Sequence, residues 1–204
     1  MGKQNRDPLF WLFVMNRDTE AKKKGFKHLL KNGANPLHIA EDSQTVLHLS
    51  AGHKDPYYLK TILEVQPDID IDFESSKSSW ATPLMKALLS DRYENFKIIL
   101  EHGTDIEKKN ARGDTPLAMA RSDYEFAYLL LQRGADYTVG EGEITGGNPK
   151  GRSALVWSIE ALRYWPSMAI EHHGIDYREK VIEFLREKGV EVNPWYPEDH
   201  GFEP

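Results

Sequence analysis

Cysteine is absent from all 204 residues. That absence excludes disulfides, thiolate zinc sites and a cysteine nucleophile, and it leaves the compartment open. No run of about 18 apolar residues exists, so no segment is long enough to span a bilayer as a helix. The apolar stretch Phe10–Met15 is also too brief for a signal-peptide core. Positive charge is in deficit: 26 Lys and Arg stand against 32 Asp and Glu, a formal net charge of −6. Phosphate-dominated nucleic-acid binding needs a basic face that displaces counterions, so nucleic acid is not an expected partner. Lys22-Lys23-Lys24 reads as the wet face of a helix rather than a nucleic-acid patch. Aromatics are not scarce: five Trp, nine Tyr and eight Phe argue for an ordered chain.

What is present repeats. Thr115-Pro116-Leu117-Ala118-Met119-Ala120 opens an apolar helix pattern, and Tyr128–Gln132 followed by Arg133-Gly134-Ala135-Asp136 closes a second. Thr82-Pro83-Leu84-Met85-Lys86-Ala87 is likewise followed by Phe96–Leu100 and Gly103-Thr104-Asp105. Thr45-Val46-Leu47-His48 pairs with Leu59–Asp68, and Asp7-Pro8-Leu9 pairs with Phe26–Asn35. Ser153-Ala154-Leu155 pairs with Val181–Glu191. The repeated leucine stands at Leu9, Leu47, Leu84, Leu117 and Leu155, spaced by 38, 37, 33 and 38.

Each repeated residue has a physical job. Thr caps the orphan amides of a helix start, and Pro in the first turn has no amide to lose. The following Leu and Ala pack at helical spacing. Gly33, Gly103, Gly134 and Gly189 permit the left-handed conformation that ends a helix. The segment after each glycine should project as a hairpin-like finger, best formed at Lys108–Asp114. Asn35-Pro36-Leu37-His38-Ile39-Ala40 imitates a repeat opening but follows directly on Gly33-Ala34, so it is assigned to a finger and the opening to Thr45.

A period near 33 residues with Thr-Pro-Leu-His-x-Ala and a closing Gly-Ala-Asp resembles the ankyrin repeat. The resemblance runs from Asp7 to about Asn193, and it implies an all-α ankyrin-repeat solenoid of about five helix-turn-helix units. They are expected as one domain, with units near 6–42, 43–77, 78–110, 111–149 and 150–193 and a tail at 194–204. Two insertions depart from the pattern: the Gly-rich 139–151 and the stretch 164–177.

Other chemistries fit less well. Asp68, Asp70 and Asp72 have the spacing of a calcium loop, but its sixth and twelfth positions hold Phe73 and Ser79 instead of Gly and Glu. The alternation Ile69, Ile71, Phe73 suggests an extended finger strand. Gly146–Ser153 imitates a phosphate loop without the buried strand that should precede it. His172-His173 reads as a solvated pair. His48 is expected in the core, and His28 and His102 on the outer face of second helices. No catalytic constellation stands out, so neither turnover nor a cofactor is expected.

The resemblance implies binding of a protein partner through finger tips and the exposed side of first helices. Carried over by position, that surface comprises Arg6, Met15, Gln44, Gly52, His53, Ser79, Ala81, Leu89, Ser90, Ala111, Ser122, Glu160 and Ala161. The leading contacts are Trp80, Arg112, Asp114, Asp123, Lys150, Arg152 and Trp165, since Arg and aromatic anchors dominate interface energetics. The divergent repeats and acidic balance look similar to bacterial ankyrin proteins, some of which are immunity proteins that block a toxin. The alternatives are an adaptor or effector docking a cellular or host protein, or a ligand-binding or enzymatic site on insertions 139–150 and 165–177. The expected compartment is the cytoplasm, or the periplasm if a leader is removed, and the unbound chain is expected to be a monomer.

Overall fold

The computed structural model describes residues 7–15, 17–39, 44–75, 82–120, 123–138, 155, 159 and 177–192. The chain divides into two compact segments, Met1–Asp105 and Ile106–Pro204. Among the described residues there are helices and turns and no strand.

The N-terminal segment holds three helix-turn-helix repeats: α1 Pro8–Val14 with α2 Glu20–Lys31, α3 Val46–Ala51 with α4 Tyr57–Val65, and α5 Pro83–Leu89 with α6 Tyr93–His102. The first helices α1, α3 and α5 pack side by side, and α2 packs on α4. In the C-terminal segment α7 Pro116–Met119 pairs with α8 Tyr124–Gln132, and α9 Tyr177–Glu187 packs on α8.

The repeated Thr does what its place in the motif requires. The hydroxyls of Thr45, Thr82 and Thr115 each accept a hydrogen bond from the amide three residues on, at His48, Met85 and Ala118. The carboxylate of Asp7 caps α1 in the same way. At the other end of the second helices, Gly33, Gly103, Gly134 and Gly189 all have φ between 78° and 93°. That is the left-handed region, where a side chain costs about 1 kcal/mol relative to glycine.

The core follows the apolar pattern. Leu9, Leu47 and Leu84 are fully buried, with Phe26, Tyr58, Leu59, Ile62, Phe96 and Ile99 from the second helices. Phe126, Leu130, Val181, Ile182 and Leu185 fill the C-terminal segment. Burying each such side chain contributes roughly 1.5–3 kcal/mol. Asn95, at the start of α6, is 2% exposed, and its amide nitrogen donates to the carbonyls of Ser50, Ala51 and His53 at 2.8–3.2 Å. One side chain thus closes the end of α3 and ties two repeats together.

Two expectations are corrected. Residues 69–73 form a turn, with Ile71 buried, instead of an extended strand. Asp70 drives this: its carboxylate accepts from the Asp72 amide at 3.1 Å and the Phe73 amide donates to the Asp70 carbonyl. Lys22 is only 8% exposed and does not belong to a wet face. Its ammonium lies 5.4 Å and 5.2 Å from the ring centroids of Phe13 and Tyr58, and it bonds the Met15 carbonyl and Asp18.

Candidate functional site

Fingers are built from a repeated turn. The side-chain oxygens of Asn35, Asp70 and Asp136 each accept from the amide two residues on, at Leu37, Asp72 and Thr138. At the second finger the residue reached by that turn, Asp72, also joins its finger to the next one. The carboxylate of Asp72 accepts from the amide of Asp105 at 2.9 Å and from the hydroxyl of Thr104. In the C-terminal segment the carboxylate of Glu107 accepts from the amide of Asp136 at 2.8 Å. Acidic residues in these fingers therefore stitch neighbouring repeats.

The finger at 108–114 closes on Asn110. The Asn110 side-chain oxygen accepts from the amides of Arg112 and Asp114, and Gly113 turns the chain at φ 84°. Arg112 stands exposed at the tip, whereas Asp114 is half-buried and accepts from the Asn110 side chain at 3.3 Å. Asp123 is also half-buried, in the turn between α7 and α8. Trp80, Lys150, Arg152 and Trp165 lie outside the described residues, as do the 139–150 and 165–176 stretches of the insertions.

The first helices present a second surface. Two places after the repeated leucine stand Trp11, Leu49 and Lys86, and five places after stand Val14, Gly52 and Leu89. Trp11, Val14 and Leu89 are 55%, 45% and 49% exposed. These are large apolar side chains held out of the core by helical register, because the buried face is already occupied by Leu9, Leu47 and Leu84. The expected list held Leu89 and Gly52 but missed Trp11 and Val14. Counting from the repeated leucine would have found them.

A polar knot borders this surface where the helices turn. Asp18 accepts from the Tyr58 hydroxyl at 2.6 Å, from the Lys22 ammonium at 3.2 Å and from His53 Nε2 at 3.2 Å. The Tyr58 hydrogen bond, with Lys22 and His53, holds the Asp18 carboxyl below its usual range against the opposing effect of burial. Burial first, then Asp18, pushes the Tyr58 hydroxyl far above its ordinary value. Lys23 lies 2.6 Å from Asp55 and holds that carboxyl low. These ionisable groups spend their hydrogen bonds on holding repeats together. Among the described residues, no group of three or more His, Cys, Asp or Glu could hold a metal ion, and no helix is long and apolar enough to cross a membrane.

Residues 11–110 match the family model for ankyrin repeats, in three copies. The solved structure of the ankyrin repeat domain of Bcl-3 superposes with a TM-score of 0.57 at 23% identity, over 80% of this chain and 77% of that one. The fold is an ankyrin-repeat solenoid. Among curated proteins, this chain is 29% identical over 111 residues to the mouse B-cell lymphoma 3 protein homolog, covering 53% of this chain and 25% of that protein. It is 26% identical over 169 residues to pig NF-kappa-B inhibitor alpha, covering 81% and 49%. A bacterial protein, PhlB of Serratia liquefaciens, is 33% identical over 92 residues, covering 45% and 39%. The chain thus spans half or less of the length of these relatives.

Proposed function

We propose that this ankyrin chain binds a protein partner through its finger tips and the exposed side of its first helices, without turnover. The observation that carries the reading is the apolar exposure on the first helices: Trp11, Val14 and Leu89 face solvent while the repeats' own core is complete without them. Exposed apolar residues gathered on one face mark interaction sites. Arg112 at a finger tip supplies an anchor of the kind that dominates interfaces. Asp123, Lys150, Arg152, Trp80 and Trp165 remain proposed contacts, and Asp114 shapes the finger that presents Arg112.

The partner we propose is a toxin that the chain, as an immunity protein, holds inactive in the cytoplasm. One relative is by name an inhibitor of another protein, and another is bacterial. An acidic chain of net charge −6 is steered toward a basic cleft. Co-expression with the product of the adjacent gene tests this. The two should co-purify and the chain should protect cells from that product; neither co-purification nor protection would sink the immunity reading. A second reading, an adaptor for a cellular protein, draws on the mammalian relatives. It is favoured if capture succeeds from a cell extract and fails with the neighbour.

A further inference from the structure

We propose that Asn32-Gly33, at the end of α2, is a self-modifying site: the chain converts its own Asn32 to aspartate and isoaspartate through openings of the helix end. This goes beyond the partner-binding reading and does not depend on it. Of the eight asparagines, only Asn32 precedes a glycine. Asn35, Asn148 and Asn193 precede proline, whose nitrogen has no hydrogen to lose. Asn95 and Asn110 are buried, and Asn5 and Asn16 precede the bulky Arg6 and Arg17. Asn32 and Gly33 are exposed, and a Cβ at Gly33 would meet nothing within 4 Å, so a ring has room to close there.

The chemistry needs only the chain and water. The backbone nitrogen of Gly33 attacks Cγ of Asn32, and the new C–N bond closes a cyclic imide. The bond from Cγ to Nδ2 breaks, and Nδ2 leaves as ammonia with the proton that the Gly33 amide gives up. Water then opens the imide at either carbonyl. One opening gives aspartate; the other gives isoaspartate, which routes the main chain through the former side chain.

The fold holds both reacting groups. The Gly33 amide donates to the Leu30 carbonyl at 3.0 Å. Asn32 Nδ2 donates to the His28 carbonyl at 2.7 Å and lies 3.3 Å from His28 Nε2. Attack therefore waits for the last turn of α2 to open, and helix ends open at low free-energy cost.

Both products disturb that turn. A carboxylate only accepts, so at position 32 it sets an oxygen against the His28 carbonyl where the amide donated. Its charge also falls at the negative end of the helix dipole. The closing glycines Gly103, Gly134 and Gly189 follow His102, Arg133 and Lys188, with no acid at that place. Isoaspartate lengthens the main chain between the carbonyls of Leu29 and Leu30 and the amides of Ala34 and Gly33 that close on them. The loss reaches the next repeat, because Gln66 Nε2 donates to the Ala34 carbonyl at 3.1 Å. Conversion thus loosens the first finger, which carries the exposed Ile39, from the end of α4.

The test ages the full chain beside a free peptide of residues 26–38 in mildly alkaline buffer. Peptide mapping by mass spectrometry follows the products, and isoaspartyl methyltransferase labelling marks the isoaspartate. Position 32 should convert first among the asparagines, giving both products, and Asn32→Gln should block it. The chain should convert about tenfold more slowly than the peptide, a slowing that matches the exchange protection of the Gly33 amide. Asn32→Asp, the aspartate product made directly, should melt below wild type and exchange faster at Gly33 and Ala34 while α5 and α6 keep their protection. The inference is overturned if another asparagine converts first, or if position 32 stays intact while the peptide converts. It is equally overturned if the chain converts as fast as the peptide, if the slowing departs from the Gly33 protection, or if Asn32→Asp melts and exchanges like wild type.

Discussion

Lys22 stands between two aromatic rings with one carboxylate to answer its charge, and that carboxylate, Asp18, is shared with Tyr58 and His53. Removing one member leaves the others under-paired in a partly dry site. Tyr58→Phe takes away the 2.6 Å hydrogen bond while keeping the ring, and should cost about 1.5–3 kcal/mol, the range for hydrogen bonds to charged groups, read by urea unfolding. Acid acts through the same carboxylate. Folding lowers the Asp18 pKa, so the unfolded chain binds that proton more readily. The stabilising share of Asp18 is complete above its unfolded value, near pH 4, and is lost as the pH falls through the lower folded value. Wild type should therefore lose melting temperature more steeply than Asp18→Asn below about pH 4. Parallel acid limbs for the two proteins would show that Asp18 carries no such linkage.

At the scale of the element, a short first helix is held by contacts made at both its ends. The α3 helix has six residues, too few to be stable alone. Thr45 caps its start and Asn95 of the next repeat closes its end. Asn95→Ala should cost about 1–3 kcal/mol, because the carbonyls of Ser50, Ala51 and His53 lose the bond from its amide together, and equilibrium unfolding measures it. Gly103→Ala meets no neighbour within 4 Å, so its cost should be the left-handed backbone alone, about 1 kcal/mol, as a drop in melting temperature. The caps and closing glycines were legible in the sequence because each is a local rule with a fixed offset. The finger stitches were not, since Asp72 and Asp105 lie 33 residues apart and neither carries a local mark of the pairing. Lys22 escaped for a related reason: three lysines in a row look solvated, and only the rings of Phe13 and Tyr58, brought in from other helices, give one of them an interior place. The binding surface was half legible. Leu89 and Arg112 follow from motif position, whereas Trp11 and Val14 sit where the motif is loosest.

For the whole molecule, stability in a repeat chain is a sum of units and the interfaces between neighbours, so damage should stay near its origin. The two segments differ in charge as well as contacts. Residues 1–105 hold 14 Lys and Arg against 15 Asp and Glu, and residues 106–204 hold 12 against 17, so most of the −6 belongs to the second segment. Ile182 is fully buried in α9, which packs on α8. Ile182→Ala should cost about 2–5 kcal/mol. If stability is local, amide exchange should accelerate through 124–131 and 177–187 while the amides of α2 and α4 keep their protection. Uniform acceleration across α2, α4, α8 and α9 would instead make the chain one cooperative block. Local loss would also mean that a partner seated on α1, α3 and α5 stabilises only that end. Ligand bound there should then raise exchange protection in the N-terminal repeats and leave the Ile182→Ala lesion uncorrected.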